Sequence, residues 1–485
     1  MRLSASDIAR FTGGMLVVPP AHEESLVAGF TWDSRQVQPG CLYVALPGER
    51  HDGFDFCINA LDAGAACLLV MRSPDEALTL CAQRSGAAIV CVEDTFTAFT
   101  DLAAAWRSRL SGSVIAITGS SGKTTTKNLV RDVLARAGSV VATQGNQNNE
   151  LGVPATLLRA EEDTQFVVVE MGMRGRGQIE SLCRFVRPDM ALVTNVGESH
   201  IELLGSRDGI ARAKAEIIAG VKANTGIAFI NASDDFASML PAYGSADERG
   251  VEILFFDGSG KEPASYAAQD GIEVPSTFAS DIELDEAGCA RFTLHTPTGT
   301  ASVHLALAGL HNVHNATAAA AVGSQVGLSA SVIVDALEKA TSLDGRGRVV
   351  RTASGVVVVD DAYNANPDSM KASLGSFAAM HFAGRHIAVL GDMGELGDTA
   401  EEAHARIGSL VASLPIDLII CVGSLACGIA RAAVAAGMPE DAAICVTDAS
   451  AALDQVVSLV NAGDGILVKA SHSVGLEAVV KGLVK

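Results

Sequence analysis

The sequence predicts an α/β protein of several domains, and three observations carry that expectation. The chain has 485 residues, more than one hydrophobic core of ordinary size accommodates, so two to four domains are expected. An apolar run, Val114-Ile115-Ala116-Ile117, feeds Gly119-Ser120-Ser121-Gly122-Lys123-Thr124-Thr125 and then a helical stretch reaching about residue 137. Beyond residue 342 short apolar strands alternate with helical segments, the rhythm of a doubly wound parallel sheet.

Composition narrows the function. Hydrophobic residues make up 48%, so the chain folds, and no apolar run approaches the roughly 18–20 residues of a membrane span. The first residues lack the basic-then-apolar pattern of a secretion signal, so a cytoplasmic location is expected. Acidic residues outnumber basic ones by 56 to 35, a net charge of −21 that argues against a nucleic-acid partner. Any phosphate recognition must then be local, built from loops and single cations. The ten cysteines show no zinc-site spacing; Cys67, Cys91, Cys421 and Cys445 lie in apolar segments and are expected to be buried structural thiols.

In chain order, strands are expected at 41–46, 67–70 and 88–92 and helices at 55–63 and 95–110, with a boundary in the turn-rich stretch 109–113. The polar block Thr31-Trp32-Asp33-Ser34-Arg35 reads either as a surface loop or as a site where the Ser34 hydroxyl and the Arg35 cation meet a phosphate-bearing substrate. The stretch 119–125 has the setting of a phosphate-binding loop. Backbone N–H groups at a helix N-terminus converge on an anion, Lys123 reaches the terminal phosphates, and the Thr124 hydroxyl ligates Mg²⁺. The wider pattern asks for a glycine where Ile117 stands, so the match is to the shorter TGxxGKT form. A glycine–serine turn capping a helix is the plain alternative; the strand–turn–helix context and the Lys-Thr pair favour ATP.

The loop 145–154 contains four amides, Asn146, Gln147, Asn148 and Asn149, which recognise a polar ligand without charge. A buried strand at 166–169 ends in Glu170, a carboxylate placed beside the phosphate loop to hold Mg²⁺. The strand 190–194 leads to Asn195-Val196-Gly197-Glu198-Ser199-His200, which puts His200 at the same sheet edge as Glu170. Lys214, in a helix over 210–219, reads by itself as a solvated face residue. From about residue 251 strands and turns dominate until an Ala-rich helix at 316–322, where Asn315 is either an N-cap or a reader of an adenine edge. After 342 come strands at 356–360, 386–390, 417–422, 443–446 and 466–469 and helices at 367–380 and 400–414. The strand ends carry Asp360-Asp361-Ala362-Tyr363-Asn364-Ala365-Asn366-Pro367, Gly391-Asp392-Met393-Gly394-Glu395-Leu396-Gly397 and Lys469-Ala470-Ser471-His472. Polar clusters at carboxyl ends of strands are where open α/β sheets bind ligands. No period of 20–50 residues recurs.

Taken together, TGSSGKT, GNQNNELGVPATLL, VVVEMGMRGRG, TNVGESHIELLGS, AKAEI, GLHNVHNA, DDAYNANPDSM and GDMGELG resemble, in order and along nearly the whole chain, the Mur ligases of peptidoglycan synthesis. The last two motifs point within that family to addition of D-alanyl-D-alanine to a UDP-N-acetylmuramoyl-tripeptide. The resemblance implies three domains. A small α/β unit over 1–111 would bind the UDP-substrate, a central P-loop ATPase with a parallel sheet would span 112–341, and a Rossmann-like unit over 342–485 would take the dipeptide.

By motif position, Gly119, Ser120, Ser121, Gly122, Lys123, Thr124 and Thr125 would bind ATP, and Asn312, Asn315, Arg346 and Asp361 would complete the nucleotide site. Thr124, Glu170, His200 and a carbamylated Lys214 would hold two Mg²⁺ ions, with Lys123, Lys214 and His200 serving catalysis. Ser34, Asn148, Asn149 and Thr156 would contact the UDP-sugar peptide; Asn364, Asn366, Asp392 and His472 would face the dipeptide. A monomer is expected. Two departures stand out: the family's GRHN reads Gly309-Leu310-His311-Asn312, and its KGSR reads Lys469-Ala470-Ser471-His472. The second replaces an Arg by a side chain mostly neutral at pH 7, which would make the dipeptide carboxylate contact weaker and pH-sensitive. The chemistry implied is carboxylate activation by ATP to an acyl phosphate, then attack by the dipeptide amine. Alternatives are another ligase of the superfamily, such as a folylpolyglutamate-type or pseudo-Mur enzyme, or a regulatory P-loop ATPase that makes no bond.

Overall fold

In the computed structural model, which describes residues 1–266 and 271–484, the chain builds one large mixed sheet flanked by two smaller α/β units. The large sheet runs in the order Gly299–Ala308, Cys289–Thr296, Thr277–Leu284, Glu252–Asp257, Ile227–Asn231, Met190–Val193, Ser113–Thr118, Phe166–Glu170, Val140–Ala142. From Thr277–Leu284 to Val140–Ala142 every neighbouring pair is parallel; the other two strands join antiparallel. The central strands are apolar because both faces are covered: Val114, Ile115, Ala116 and Ile117 are all fully buried.

Register places the candidate residues together. Glu170 pairs with Ile117 and Val193 with Thr118, so three adjacent parallel strands deliver the phosphate loop, Glu170 and the 195–200 loop to one edge. The helix that follows the phosphate loop, Lys123–Leu134, lies with His311–Gln325 against one face of the sheet. The latter helix is longer than the predicted 316–322 and begins at His311, so Asn315 sits inside it and is not its N-cap.

The first unit holds the sheet Met15–Val18, Ala88–Cys91, Cys67–Val70, Leu42–Val44, Phe30–Thr31 and a separate pair, Arg2–Ser4 with Leu26–Ala28. Its apolar core is continuous with that of the central sheet. The Trp106 indole N–H donates to the Ala160 carbonyl at 2.9 Å, and Arg107 donates to the Val186 carbonyl at 2.9 Å and to Asp189 at 2.9 Å. The third unit has the order Arg348–Arg351, Val357–Asp360, Gly465–Lys469, His386–Gly391, Leu418–Val422, Ala443–Val446. Its first strand is antiparallel, a departure from the all-parallel sheet expected; it is an edge strand that exposes Val349 and Arg351. Of the thiols expected to be buried, Cys67 and Cys421 are, Cys91 is half-buried and Cys445 is exposed because Ala443–Val446 is the other edge strand. Among the described residues no helix is long and apolar enough to cross a membrane.

Trp106 is 1% exposed, and its single polar atom ties the first unit to the second. Trp106→Phe leaves the Ala160 carbonyl unpaired in the core, which costs about 1–3 kcal/mol. The urea midpoint should fall accordingly; an unchanged midpoint would show that the bond does not stabilise the junction.

Candidate active site

A cleft of about 1270 Å³ opens between the carboxyl edge of the large sheet and the third unit. Its floor is the phosphate loop. Gly119 (φ 156°) and Gly122 (φ 76°) take backbone conformations that side chains rarely adopt, and a Cβ at Gly119 would overlap the Thr194 hydroxyl. A Cβ at Gly122 would stand 2.6 Å from Asn315 Oδ1. Gly122 is also the N-cap of Lys123–Leu134 and supplies no side chain, so the first-turn N–H groups are not met by one. Asn195 shapes the loop by accepting from the Ser121 N–H at 2.9 Å. The result is a helix N-terminus open to an anion.

Lys123 and Lys214 line the cleft, and Lys127 is buried in the helix that follows the phosphate loop. Lys123 donates to the Gly119 carbonyl at 2.8 Å, and Lys127, 2% exposed, donates to the Thr143 carbonyl at 2.6 Å. Lys214 is 1% exposed, so the solvated face read from its own sequence context is corrected: its helix, Arg207–Ala219, is buried on several sides. Burial lowers the pKa of all three. For Lys214 the drop is large, since Lys123 repels its charge and only Asp234 opposes the shift.

Glu170 is the opposing carboxylate, 1% exposed. Its Oε1 accepts from Asn148 Nδ2 at 2.7 Å and from the Thr124 hydroxyl at 3.2 Å, while its Oε2 has no hydrogen-bond partner. A buried, orphaned carboxylate oxygen beside a threonine hydroxyl fits a cation. Among the described residues no three His, Cys, Asp or Glu side chains converge as a metal site. A hard cation here would therefore draw further ligands from phosphates and water, as Mg²⁺ commonly does. His200 also lines the cleft, in a left-handed conformation (φ 64°), with its Nδ1 2.5 Å from Glu395 Oε2 of the third unit. Burial lowers its pKa and Glu395 opposes that shift.

The remaining predicted residues divide. Asn312 and Asn315 line the cleft but are bonded to each other at 2.9 Å, and Asn315 Oδ1 accepts from Thr126 at 3.0 Å, so Asn315 also pins the two helices together. Arg346 lines it with its guanidinium 4.1 Å from the Tyr363 ring centre. Asp361 is held by Ser373 and, at 2.6 Å, by Lys469. Asn148, Asn149, Asn364 and His472 line it too; Asn149 Oδ1 accepts from the Gly152 N–H at 3.0 Å, and His472 Nδ1 lies 2.7 Å from Glu477.

Three of the predicted residues, Thr156, Ser34 and Asp392, lie away from the cleft. Thr156 is fully buried, its hydroxyl donating to the Gly152 carbonyl at 2.9 Å. Ser34 lies in a short turn of the first unit outside the cleft. Asp392 does not line it either, because Oδ1 accepts from the Ala426 N–H at 2.6 Å; Gly394 and Glu395 of its loop do. Asn366 does line the cleft, although it also caps the helix Pro367–Ala378 and donates to Ser199 at 2.5 Å. Sequence reasoning missed Lys127, Asn195, Asp234 and Glu395; only Asn195 and Glu395 lay inside motifs that drew attention.

Comparison with known proteins agrees with this geometry. Three family models match: the Mur ligase family catalytic domain at 26–106, the Mur ligase middle domain at 117–323, and the Mur ligase glutamate ligase domain at 345–472. The UDP-N-acetylmuramoyl-tripeptide–D-alanyl-D-alanine ligase of Bacillus subtilis (strain 168) is 34% identical, over 100% of this chain and 99% of that protein. A crystal structure of MurF from Acinetobacter baumannii superposes with a TM-score of 0.84 at 32% identity, covering 100% and 99% of the two chains. The MurF ligase of Thermotoga maritima in complex with ADP does so at 0.77 and 28%, covering 94% and 97%. Full-length identity above 30%, three consecutive domain matches and a shared fold lead to one conclusion: the chain belongs to the Mur ligase family.

Proposed function

We propose that the protein is the ATP-dependent ligase that joins D-alanyl-D-alanine to UDP-N-acetylmuramoyl-tripeptide in the cytoplasmic stage of peptidoglycan synthesis, acting as a monomer. The observation that carries this is the concentration of desolvated amines and one orphaned carboxylate oxygen at the mouth of a phosphate loop, facing a second unit across the cleft. Relatives that match over the full chain bear that ligase name, which disfavours a folylpolyglutamate-type activity.

The reaction balances as two steps. A substrate carboxylate oxygen attacks the γ-phosphorus of ATP, and ADP leaves. The dipeptide amine then attacks the acyl carbon, phosphate leaves with the bridging oxygen, and the amine proton passes to solvent or a base. Lys123 and the first-turn N–H groups would offset charge on the transferring group, an electrostatic role realised most fully in the transition state. Thr124, Glu170 and His200 would hold Mg²⁺, which supplies Lewis-acid charge neutralisation. Lys214, held toward its neutral form by burial, is in the state that adds CO₂ to give a carbamate and a proton. That product is a carboxylate-like ligand for a second hard cation. The wall of the third unit would keep water from the acyl phosphate.

A substrate panel read by mass tests the function. The dipeptide adduct should form, and phosphate should be released, only when ATP, the UDP-tripeptide and D-alanyl-D-alanine are all present. Phosphate release at full rate with ATP alone would replace a ligase by a regulatory ATPase. Lys123→Ala should lower ligation roughly 100–1000-fold while the circular dichroism spectrum is kept. Near wild-type turnover would remove Lys123 from phosphoryl stabilisation.

Lys214 supports a sharper expectation. Its pKa in the folded chain is well below the ordinary value of 10.5, so folding at neutral pH works against its charge. Lys214→Met should abolish ligation yet melt no lower than wild type at pH 7. The stability difference should shrink as pH is raised toward 10, where the unfolded chain also loses the proton. A variant that melts well below wild type would make Lys214 a structural residue.

A further inference from the structure

Three consecutive backbone N–H groups of the loop after Met190–Val193 go to three different places. Val196 donates to Asp234 at 2.7 Å, Gly197 to the Ser120 hydroxyl at 2.8 Å, and Glu198 to Asp368 Oδ2 at 2.8 Å. Ser199 continues the pattern: its hydroxyl donates to the Ser120 carbonyl at 3.2 Å and accepts from Asn366 at 2.5 Å. Ser120, Ser199 and Asn366 are all buried. One short loop thus touches the phosphate loop on one side and the start of the helix Pro367–Ala378 on the other.

Asp368 is not needed to begin that helix. Asn366 and Ser369 already form a reciprocal capping box there. Its carboxylate instead leaves its own unit and ends on the Glu198 N–H. Gly197 admits it: a Cβ at this position would overlap Asp368 Oδ2 and lie 3.3 Å from the Ser120 Cβ. At the rim, Arg406 pairs with the Glu198 carboxylate at 2.5 Å.

We propose that Asp368 is a positioning residue of the ligase reaction: seated on the 197–198 backbone, it locks the third unit to the loop that fixes Ser120, and Gly197 is glycine to receive it. Asp368 acts through its neighbours. When seated, it holds the 196–199 loop, and with it the phosphate loop and His200, in one arrangement. A displacement of about 1 Å in such a site costs roughly 100-fold in rate. The catalytic arm of the test rests on the ligase reading; the scattering arm does not.

The experiment uses the full chain with Gly197→Ala, Asp368→Ala, Asp368→Asn and the double variant Gly197→Ala/Asp368→Ala. Gly197→Ala should lower kcat at least about 30-fold, while KM for ATP stays within about threefold, because the arrangement and not nucleotide affinity is disturbed. Asp368→Ala should lower it roughly tenfold, and the double variant should be no worse, since removing the carboxylate removes the overlap. The coupling between the two positions should then be at least about fivefold. Single effects that simply multiply, or a loss carried entirely by KM for ATP, would overturn the proposal. If Gly197→Ala does not fold, the Asp368 pair decides: Asn keeps an acceptor oxygen and should retain activity within about threefold. Asn as damaging as Ala, or Ala as active as wild type, would overturn it. Small-angle scattering on the same proteins should give a larger radius of gyration for Asp368→Ala than for wild type or Asp368→Asn. An equal radius in all three would also overturn it, whatever the enzyme's activity.

Discussion

The structure turns on a concentration of buried amines. Lys127 and Lys214 are almost wholly removed from water, Lys123 lies beside them, and Glu170 and Asp234 are the carboxylates that oppose them. Amines placed so deep are expensive to keep charged. The chain tolerates them by giving Lys123 and Lys127 backbone carbonyls and by shifting Lys214 toward neutrality. Such a floor has electrostatic capacity left for anions. The glycines of the phosphate loop, the parallel register that brings Glu170 beside Ile117, and the open helix N-terminus all serve to present that capacity at one spot.

The third unit closes the cleft with the opposite device. Its polar residues are spent on hydrogen bonds rather than left free: Lys469 on Asp361 and the Asn364 carbonyl, Asn366 on Ser199, Asp368 on the Glu198 N–H. The Asn366 contact is buried, those of Lys469 are partly buried and charge-assisted, and that of Asp368 is charge-assisted at the exposed rim. The proposed acyl phosphate would be sensitive to water, and a wall tied to the 197–199 loop would help to exclude it.

Much of this was legible in the sequence, for physical reasons. Strands buried on both faces must be apolar throughout, so Cys67–Val70, Phe166–Glu170 and Leu418–Val422 stand out within a residue or so. The phosphate loop is legible because few other needs place Gly, Lys and Thr in that order after a strand. The places of Thr156 and Asp392 were not, because a short polar side chain serves a ligand or a nearby backbone equally well until the fold is known. Lys214 misled on its own because helical periodicity assumes one wet face, and Arg207–Ala219 buries Ile210, Ala211, Ala213, Ala215, Ile217 and Ile218 around it. The antiparallel edge strand Arg348–Arg351 lacks an apolar run and leaves no signal of that type.

The central claim is that this site moves a phosphoryl group onto a carboxylate before any amide forms. Oxygen-18 in the terminal carboxylate of the UDP-tripeptide tests it directly, with the released phosphate read by mass. The account predicts that each turnover transfers one labelled oxygen to inorganic phosphate and leaves the other in the new amide carbonyl. Phosphate released without label, while ligated product accumulates, would contradict it.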